Sequence, residues 1–303
     1  MNNFGPLVSI MIPVYNRENI IGETLDCAIN QTYNNIEIIV SDNCSTDKTW
    51  SILEEYAKKD DRIKIYKNEI NLGPVLNWKN CIDKIQGEYI KILWSDDLMT
   101  NDFIQKTLPL FDDDTAFVIT GVEYFGDKTM YSEFQDAFPH VLSTKVYLSE
   151  NILSSNQAEF QLSPGCGIFR RDDLRKNLLI DVPNEFGLDF KKYGAGNDVL
   201  MFMLTARDYK FIKIVPELLS KFRFHRESFS VENNLEKYYD LAKYYFVKEF
   251  DKRLMAFFIL NQFYKRKSSS FHKEFWNTIR KDFSVIDLIK HKSSRVMLKL
   301  FSN

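Results

Sequence analysis

The chain has 303 residues, of which 45% are hydrophobic and 27% charged, enough apolar mass for a large globular core and too much for a disordered chain. Its formal net charge of -2 excludes a dedicated nucleic-acid binder, because neutralising phosphates needs an excess of Lys and Arg.

The first run, Val8 to Pro13, is short, apolar and β-branched and predicts a buried parallel strand that opens into a loop at Asn16. Asn19 to Asn30 follows with apolar residues at a 3.6-type spacing, and Ile36 to Val40 is the next strand, which completes a β-α-β unit. Ser45, Thr46 and Asp47 form a helix-start signal for a helix reaching about Lys59. A strand from Ile63 to Tyr66, a helix from Trp78 to Ile85 and a strand from Tyr89 to Leu93 come next. This alternation predicts a doubly wound sheet with its ligand site outside the carboxyl ends of the strands. Three polar clusters follow those ends: Tyr15-Asn16-Arg17, Asp42-Asn43-Cys44-Ser45 and Ser95-Asp96-Asp97. They are expected to meet in one crevice.

Past Phe103 the alternation loosens. A strand is expected over Ala116 to Thr120, then a polar and aromatic stretch from Gly126 to Gln161, then a tight turn Ser163-Pro164-Gly165-Cys166-Gly167. From Leu235 onward the pattern is helical, with Tyr and Phe interleaved among basic residues. Residues 236–303 hold 15 Lys and Arg against seven Asp and Glu, a net +8 that leaves -10 on the 235 residues before them. No apolar run approaches the roughly 20 residues that span a bilayer, and Met1 to Pro6 lacks the basic and apolar regions of a signal peptide. Cys27, Cys44, Cys81 and Cys166 form no C-x-x-C pair and read as free thiols in a reducing compartment. A cytoplasmic protein is expected.

The segments Val8 to Asn16, Val40 to Asp47, Asn71-Leu72-Gly73, Gly87 to Ile90 and Ser95-Asp96-Asp97, in this order and spacing, resemble glycosyltransferase family 2, the inverting family with the GT-A fold. The resemblance covers residues 7 to about 105 and extends more loosely to about 231. It implies a Rossmann-like α/β/α sandwich with a mixed, mainly parallel sheet: a nucleotide-sugar-binding half over 1–105, an acceptor-binding half over 106–231 and a basic, aromatic helical tail over 232–303.

The same resemblance assigns Pro13, Tyr15 and Asn16 to the base pocket and Asp42 to hydrogen bonds with the base or ribose. Asp47 then remains a plain helix cap. Asp96 aligns with the last acid of the family's D-x-D motif and is the expected ligand for Mn²⁺ or Mg²⁺, with Asp97 beside it at the donor. Such a cation offsets the charge on a departing diphosphate. Trp94 stands where that motif has its first acid, a departure from the commonest pattern. Gly194-Ala195-Gly196-Asn197-Asp198 resembles the acidic motif below the acceptor pocket, with Asn197 in place of the usual Glu, and makes Asp198 the general base. Helix-start stabilisation is the alternative role for Asp198, and Glu185 and Asp189 are the next carboxylates upstream. His225 matches an element that closes over the diphosphate and can supply a metal ligand, with Arg223 or Arg226 near the phosphates. The turn at Gly165 matches a loop approaching donor sugar and acceptor. His140, His272 and His291 have no supporting context.

The expected reaction is transfer of a hexose or acetamidohexose from a nucleotide sugar, UDP-linked by family frequency, to a saccharide hydroxyl. The basic aromatic tail points to an acceptor on a membrane lipid during capsule, lipopolysaccharide or similar assembly. The expected partners are the donor and the lipid-linked acceptor; the tail either contacts an anionic membrane face or packs its rings on the catalytic domain or a second copy of the chain. Two rivals remain: a sugar nucleotidyltransferase, although Val14 to Glu18 is not its Gly-rich phosphate loop, and a catalytically silent relative whose tail binds a membrane or partner.

Overall fold

The computed structural model describes residues 5–126, 130–132, 140–153, 163–224 and 235–282. The first hundred residues alternate as expected: β1 (Val8–Val14), α1 (Ile21–Ile29), β2 (Ile36–Asp42), α2 (Thr49–Lys59), β3 (Ile63–Lys67), α3 (Pro74–Lys84), β4 (Tyr89–Ile92) and the short β5 (Leu98–Met99). The helix expected from Trp78 begins one turn earlier, at Pro74. Proline fits the first helical turn, where its missing N–H has no intrahelical partner to lose, and Gly73 at φ 79° makes the entry.

The chain continues through α4 (Phe103–Thr107), β6 (Thr115–Gly126), β7 (Met130–Ser132), β8 (Val141–Ser143), α5 (Thr144–Leu153), β9 (Gly167–Arg170), α6 (Arg171–Asn177), α7 (Phe190–Tyr193), α8 (Asn197–Arg207) and β10 (Phe211–Phe224). Three tail helices follow: α9 (Glu236–Glu249), α10 (Met255–Lys265) and α11 (Ser270–Ile279). β6 runs six residues past the strand expected from Ala116 to Thr120, because β10 pairs with it in parallel along its whole length. Register shifts interrupt that pairing around Pro216, which has no N–H to give the ladder.

The strand order is β3-β2-β1-β4-β9-β6-β10-β5, with β7 on β6 and β8 on β10. β1, β2, β3, β4, β6 and β10 share one direction, and β5, β7, β8 and β9 oppose them. The sheet is thus mixed and mainly parallel, as expected.

Side chains alternate across the strands and build two cores. Val8, Ile10, Ile12 and Val14 of β1 meet Ile21, Leu25 and Leu53 from α1 and α2 on one face. Met11 of β1 and Ile39 of β2 meet Val75, Trp78 and Ile82 of α3 on the other. The second core is continuous with α8 and with the tail, where Tyr238, Phe246, Phe258 and Phe275 are buried. Most tail rings among the described residues are therefore packing residues. Phe263 and Tyr264 stay exposed, at 39% and 62%.

All four cysteines are free thiols, Cys81 and Cys166 buried and Cys27 and Cys44 partly so. Among the described residues no helix is long and apolar enough to cross a membrane.

Candidate active site

The carboxyl ends of the co-directional strands open on a cleft of about 1520 Å³. Pro13, Tyr15, Asp96, Asp97 and Asp198 all line it, so the sheet gathers five of the expected site residues. Asn16 and Asp42 are not lining residues; Asp42 is fully buried and Asn16 partly exposed.

Asn16 sits at φ 50°, a left-handed conformation that Asn tolerates better than most residues. Its backbone N–H donates to Ser45 Oγ at 2.9 Å, and its side-chain oxygen accepts the Thr46 N–H at 2.9 Å. Asp42 is fully buried. It accepts both the hydroxyl and, at 3.2 Å, the backbone N–H of Ser45, and Lys67 Nζ stands 4.0 Å away. The two residues staple the first strand-end loop to the second, and the buried carboxylate of Asp42 finds its donors there. Asp47 takes the N–H of Thr49, the first residue of α2, at 2.9 Å and that of Glu18 at 3.1 Å. Asn43, which does line the cleft, holds the Asn71-Leu72-Gly73 loop through Asn71 Oδ1 and the Leu72 N–H.

The neighbouring acids Asp96 and Asp97 differ in kind. Asp96 is partly open and lies 3.5 Å from the Arg17 guanidinium. Arg17 Nε is buried with no hydrogen-bond partner, an orphaned donor beside a cleft. Asp97 is only 7% exposed and accepts the Arg223 N–H at 2.9 Å. Burial, with Asp96 adding to it, pushes its carboxyl well above the usual range. Arg223 also donates to the Asp96 carbonyl and pairs with Glu23 at 2.7 Å.

Beneath this pair, Lys91 is fully buried in β4 and donates to the Gly165 carbonyl. Its ammonium lies 4.0 Å from the centre of the Phe103 ring. Burial pushes its pKa down to about 8, against the opposing pull of nearby groups that include Asp97. Thr120 and Ser220, 2.9 Å apart, support the carbonyls of Cys166 and Gly165. On the cleft side of the same turn, Ser163 Oγ accepts the Trp94 indole N–H at 3.1 Å.

Asp198 lies in the first turn of α8. Its Oδ1 accepts the N–H groups of Gly196 at 2.9 Å and Val199 at 2.8 Å, and the Tyr239 hydroxyl of α9 approaches Oδ2 at 3.4 Å. Burial pushes its pKa up to about 6. Of the alternative carboxylates, Asp189 lines the cleft but caps α7 through the N–H groups of Lys191 and Lys192. Glu185 is exposed and is not a lining residue.

α9 presents Glu236, Tyr239, Asp240 and Lys243 to the cleft. Glu236, Asp240 and His272 could group around a cation, but Lys265 Nζ already bonds Glu236 and Asp240, each at 3.0 Å. His272 Nε2 is 2.9 Å from Asp240. An ammonium therefore holds the place a metal would need. His225 and Arg226 lie outside the described residues, as do His291 and much of the polar stretch before Ser163.

Lys91 and Tyr239 were not singled out by sequence, Asn43 was expected in the crevice only as part of its polar cluster, and His272 had no supporting context. A lysine inside the apolar run Tyr89 to Leu93 was the one readable signal among them, since a buried charge demands a partner.

A mainly parallel sheet whose strand ends carry this cleft is the GT-A arrangement. The chain shares that fold with the solved structure of S. aureus TarS residues 1-349 in complex with UDP-GlcNAc, at TM-score 0.63 and 18% identity over 94% of this chain and 79% of that one. The model of glycosyl transferase family 2 matches residues 9–178, and the chain belongs to that family. Relatives include the Bacillus subtilis (strain 168) protein TuaG, named for teichuronic acid biosynthesis, 36% identical over 122 residues. Another is the Escherichia coli UDP-Glc:alpha-D-GlcNAc-diphosphoundecaprenol beta-1,3-glucosyltransferase WfaP, 40% identical over 112 residues. The matches cover 40% and 37% of this chain, and span 48% and 43% of the relatives' lengths.

Proposed function

We propose that the chain is an inverting, metal-dependent glycosyltransferase that moves a sugar from a nucleoside diphosphate donor to the hydroxyl of a saccharide on a lipid carrier, in the assembly of a bacterial surface polysaccharide. The observation that carries this reading is the pairing of two unlike carboxylates in one cleft: Asp96 partly open beside Arg17, and Asp198 half-buried at the start of α8 and lining the same cleft. UDP is the favoured nucleotide, in line with the UDP-linked donor in the name of WfaP and the ligand of TarS.

Asp198, with a pKa of about 6, is ionised at neutral pH yet basic enough to take a proton. Its Oδ2 accepts the proton of the acceptor hydroxyl as that oxygen bonds the anomeric carbon and the bond to the diphosphate breaks. Attack from the side opposite the leaving group inverts the carbon. A divalent cation supplies charge neutralisation at the departing diphosphate. Asp96 fits it, since Mg²⁺ and Mn²⁺ sites combine one or two carboxylates with phosphate oxygens, and the orphaned Arg17 Nε suits a phosphate on the same side. Asp97, buried and bonded to Arg223, holds the motif rather than the ion. The exposed Phe263 and Tyr264, next to Arg266 and Lys267, support contact with an anionic inner membrane face.

Thermal unfolding of the whole chain with UDP-sugars, with Mn²⁺ and with a chelator, beside assay of released UDP, tests the proposal. Metal-dependent protection and acceptor-dependent UDP release are expected. Absence of both across the UDP, GDP and dTDP sugars would overturn it.

A further inference from the structure

Four observations single out the floor of the cleft between Asp96 and Asp198. Trp94 lies two residues before Asp96, and its ring centre is 5.0 Å from that of Trp78; both line the cleft. The indole N–H of Trp94 is taken by Ser163 Oγ at 3.1 Å, so the ring has no donor left for a substrate and offers only its π surface. A Cβ on Gly165 would stand 3.0 Å from Trp94 Cδ1, and one on Gly194 would stand 2.6 Å from Trp78. Gly194 also has φ +69°, which side chains seldom adopt. Two glycines thus let two backbones close on two indoles and fix where the rings sit.

We infer that Trp94, braced by the largely buried Trp78, is the surface on which the ring of the transferred hexose rests. This rests on the glycosyltransferase reading above. In-line displacement requires the anomeric carbon to lie between the diphosphate, held at the Asp96 end, and the acceptor hydroxyl, held at Asp198. The ring carrying that carbon must then pass over what links the two acids, and the indoles supply that link: Trp94 precedes Asp96 by two residues, Trp78 packs on Trp94, and Trp78 lies against Gly194, four residues before Asp198. A pyranose has a face of C–H groups polarised by the ring and hydroxyl oxygens, and the electron-rich face of an indole attracts it. Where an acid would grip hydroxyl groups by hydrogen bonds, this chain offers a flat apolar surface that selects for the hexose's C–H face.

Calorimetric titration of UDP, UDP-glucose and UDP-N-acetylglucosamine with Mn²⁺ tests the assignment on wild type, Trp94→Phe and Trp94→Leu. UDP lacks the hexose and is expected to bind all three proteins alike. The UDP-sugar that wild type prefers is expected to lose about tenfold in affinity with Trp94→Leu, and no more than about threefold with Trp94→Phe. Wild-type tryptophan emission should also shift with that UDP-sugar and not with UDP, a readout that needs no variant. Equal binding of the UDP-sugar by all three proteins, equal loss of UDP and UDP-sugar, or no difference in emission would overturn the platform while leaving the enzyme reading intact. Failure of wild type to bind UDP or either UDP-sugar would exclude UDP as its nucleotide, and failure of the GDP- and dTDP-sugars as well would remove that reading, and the platform with it.

Discussion

The ammonium group of Lys91, in the middle of β4, donates to the carbonyl of Gly165, 74 residues further along the chain. A fully buried charge is tolerated only with close partners, and here those partners are the turn under Trp94 and the neighbouring Asp97. Lys91 thereby ties the strand that delivers Asp96 to the turn that seats the indole.

That burial has a measurable sign. The folded pKa of Lys91, about 8, lies below its unfolded value, so between about pH 8 and 10.5 the unfolded chain binds the extra proton and stability rises with pH. Lys91→Met keeps the stem and removes the proton. Wild type should gain on the order of 3 kcal/mol relative to the variant across that window, read by denaturant unfolding at pH 7.5 and 10.5. A difference that does not change with pH would mean the lysine is not neutral in the folded state.

Asp198→Asn should lower turnover by about 10²–10⁴-fold with donor affinity close to wild type. It should not lower stability at pH 7. The folded pKa, about 6, is raised, so the native state favours the neutral form and Asp198 costs stability as pH rises from about 4 through 6. Asn is neutral and its oxygen can still accept the Gly196 and Val199 N–H groups. Wild-type turnover should fall about tenfold per unit below pH 6. Parallel assay and thermal unfolding check both; a destabilised variant with normal turnover would assign Asp198 to the helix start alone.

Adjacent acids should respond in opposite ways. Asp96→Ala is expected to abolish metal-dependent donor binding with a stability change of about 0.5 kcal/mol or less, as usual for a partly open surface pair. Asp97→Asn should stay within about threefold of wild type, because the Asp97 carboxyl is already held toward its neutral form and Asn can accept the Arg223 N–H. Titration of UDP with Mn²⁺ against both variants decides the order.

A chain ending at residue 234 should be severely destabilised, since it would bare the core where Phe246, Phe258 and Phe275 pack; loss of one such ring typically costs about 3–5 kcal/mol. Membrane contact is better tested by Phe263→Ser with Tyr264→Ser. Co-sedimentation with anionic vesicles should drop and transfer to a short soluble acceptor should persist. Equal recovery of variant and wild type would end the membrane contact.

How much of this was legible differs by residue. The alternation from Val8 to Leu93 announced the fold because each strand is a short run dominated by apolar residues and each helix has one apolar stripe. Asp96 and Asp198 were placed by motif, and both line the cleft. Asn16 and Asp42 were motif residues too, and their bonds between the first two strand-end loops were not legible, because sequence gives a residue's position on a strand end and not the partners its side chain finds there. Tyr239 and His272 were unreadable: their contacts cross 41 and 32 residues, and nothing local marks them. The tail rings left two readings open, since interleaved Phe, Tyr and Lys suit either a bilayer or a helix packed on a core.

The core that runs unbroken from α3 beneath the sheet to α11 has a mechanical consequence. Two lobes that clamp a ligand need a seam of few contacts between them, and the walls of this cleft are instead anchored in one close-packed body. Substrates must therefore enter and leave through the movement of side chains and strand-end loops, with the body acting as a fixed jig. Its radius of gyration in solution should be the same with the nucleotide bound as without it, and the work of positioning should be done when the chain folds, before any sugar arrives.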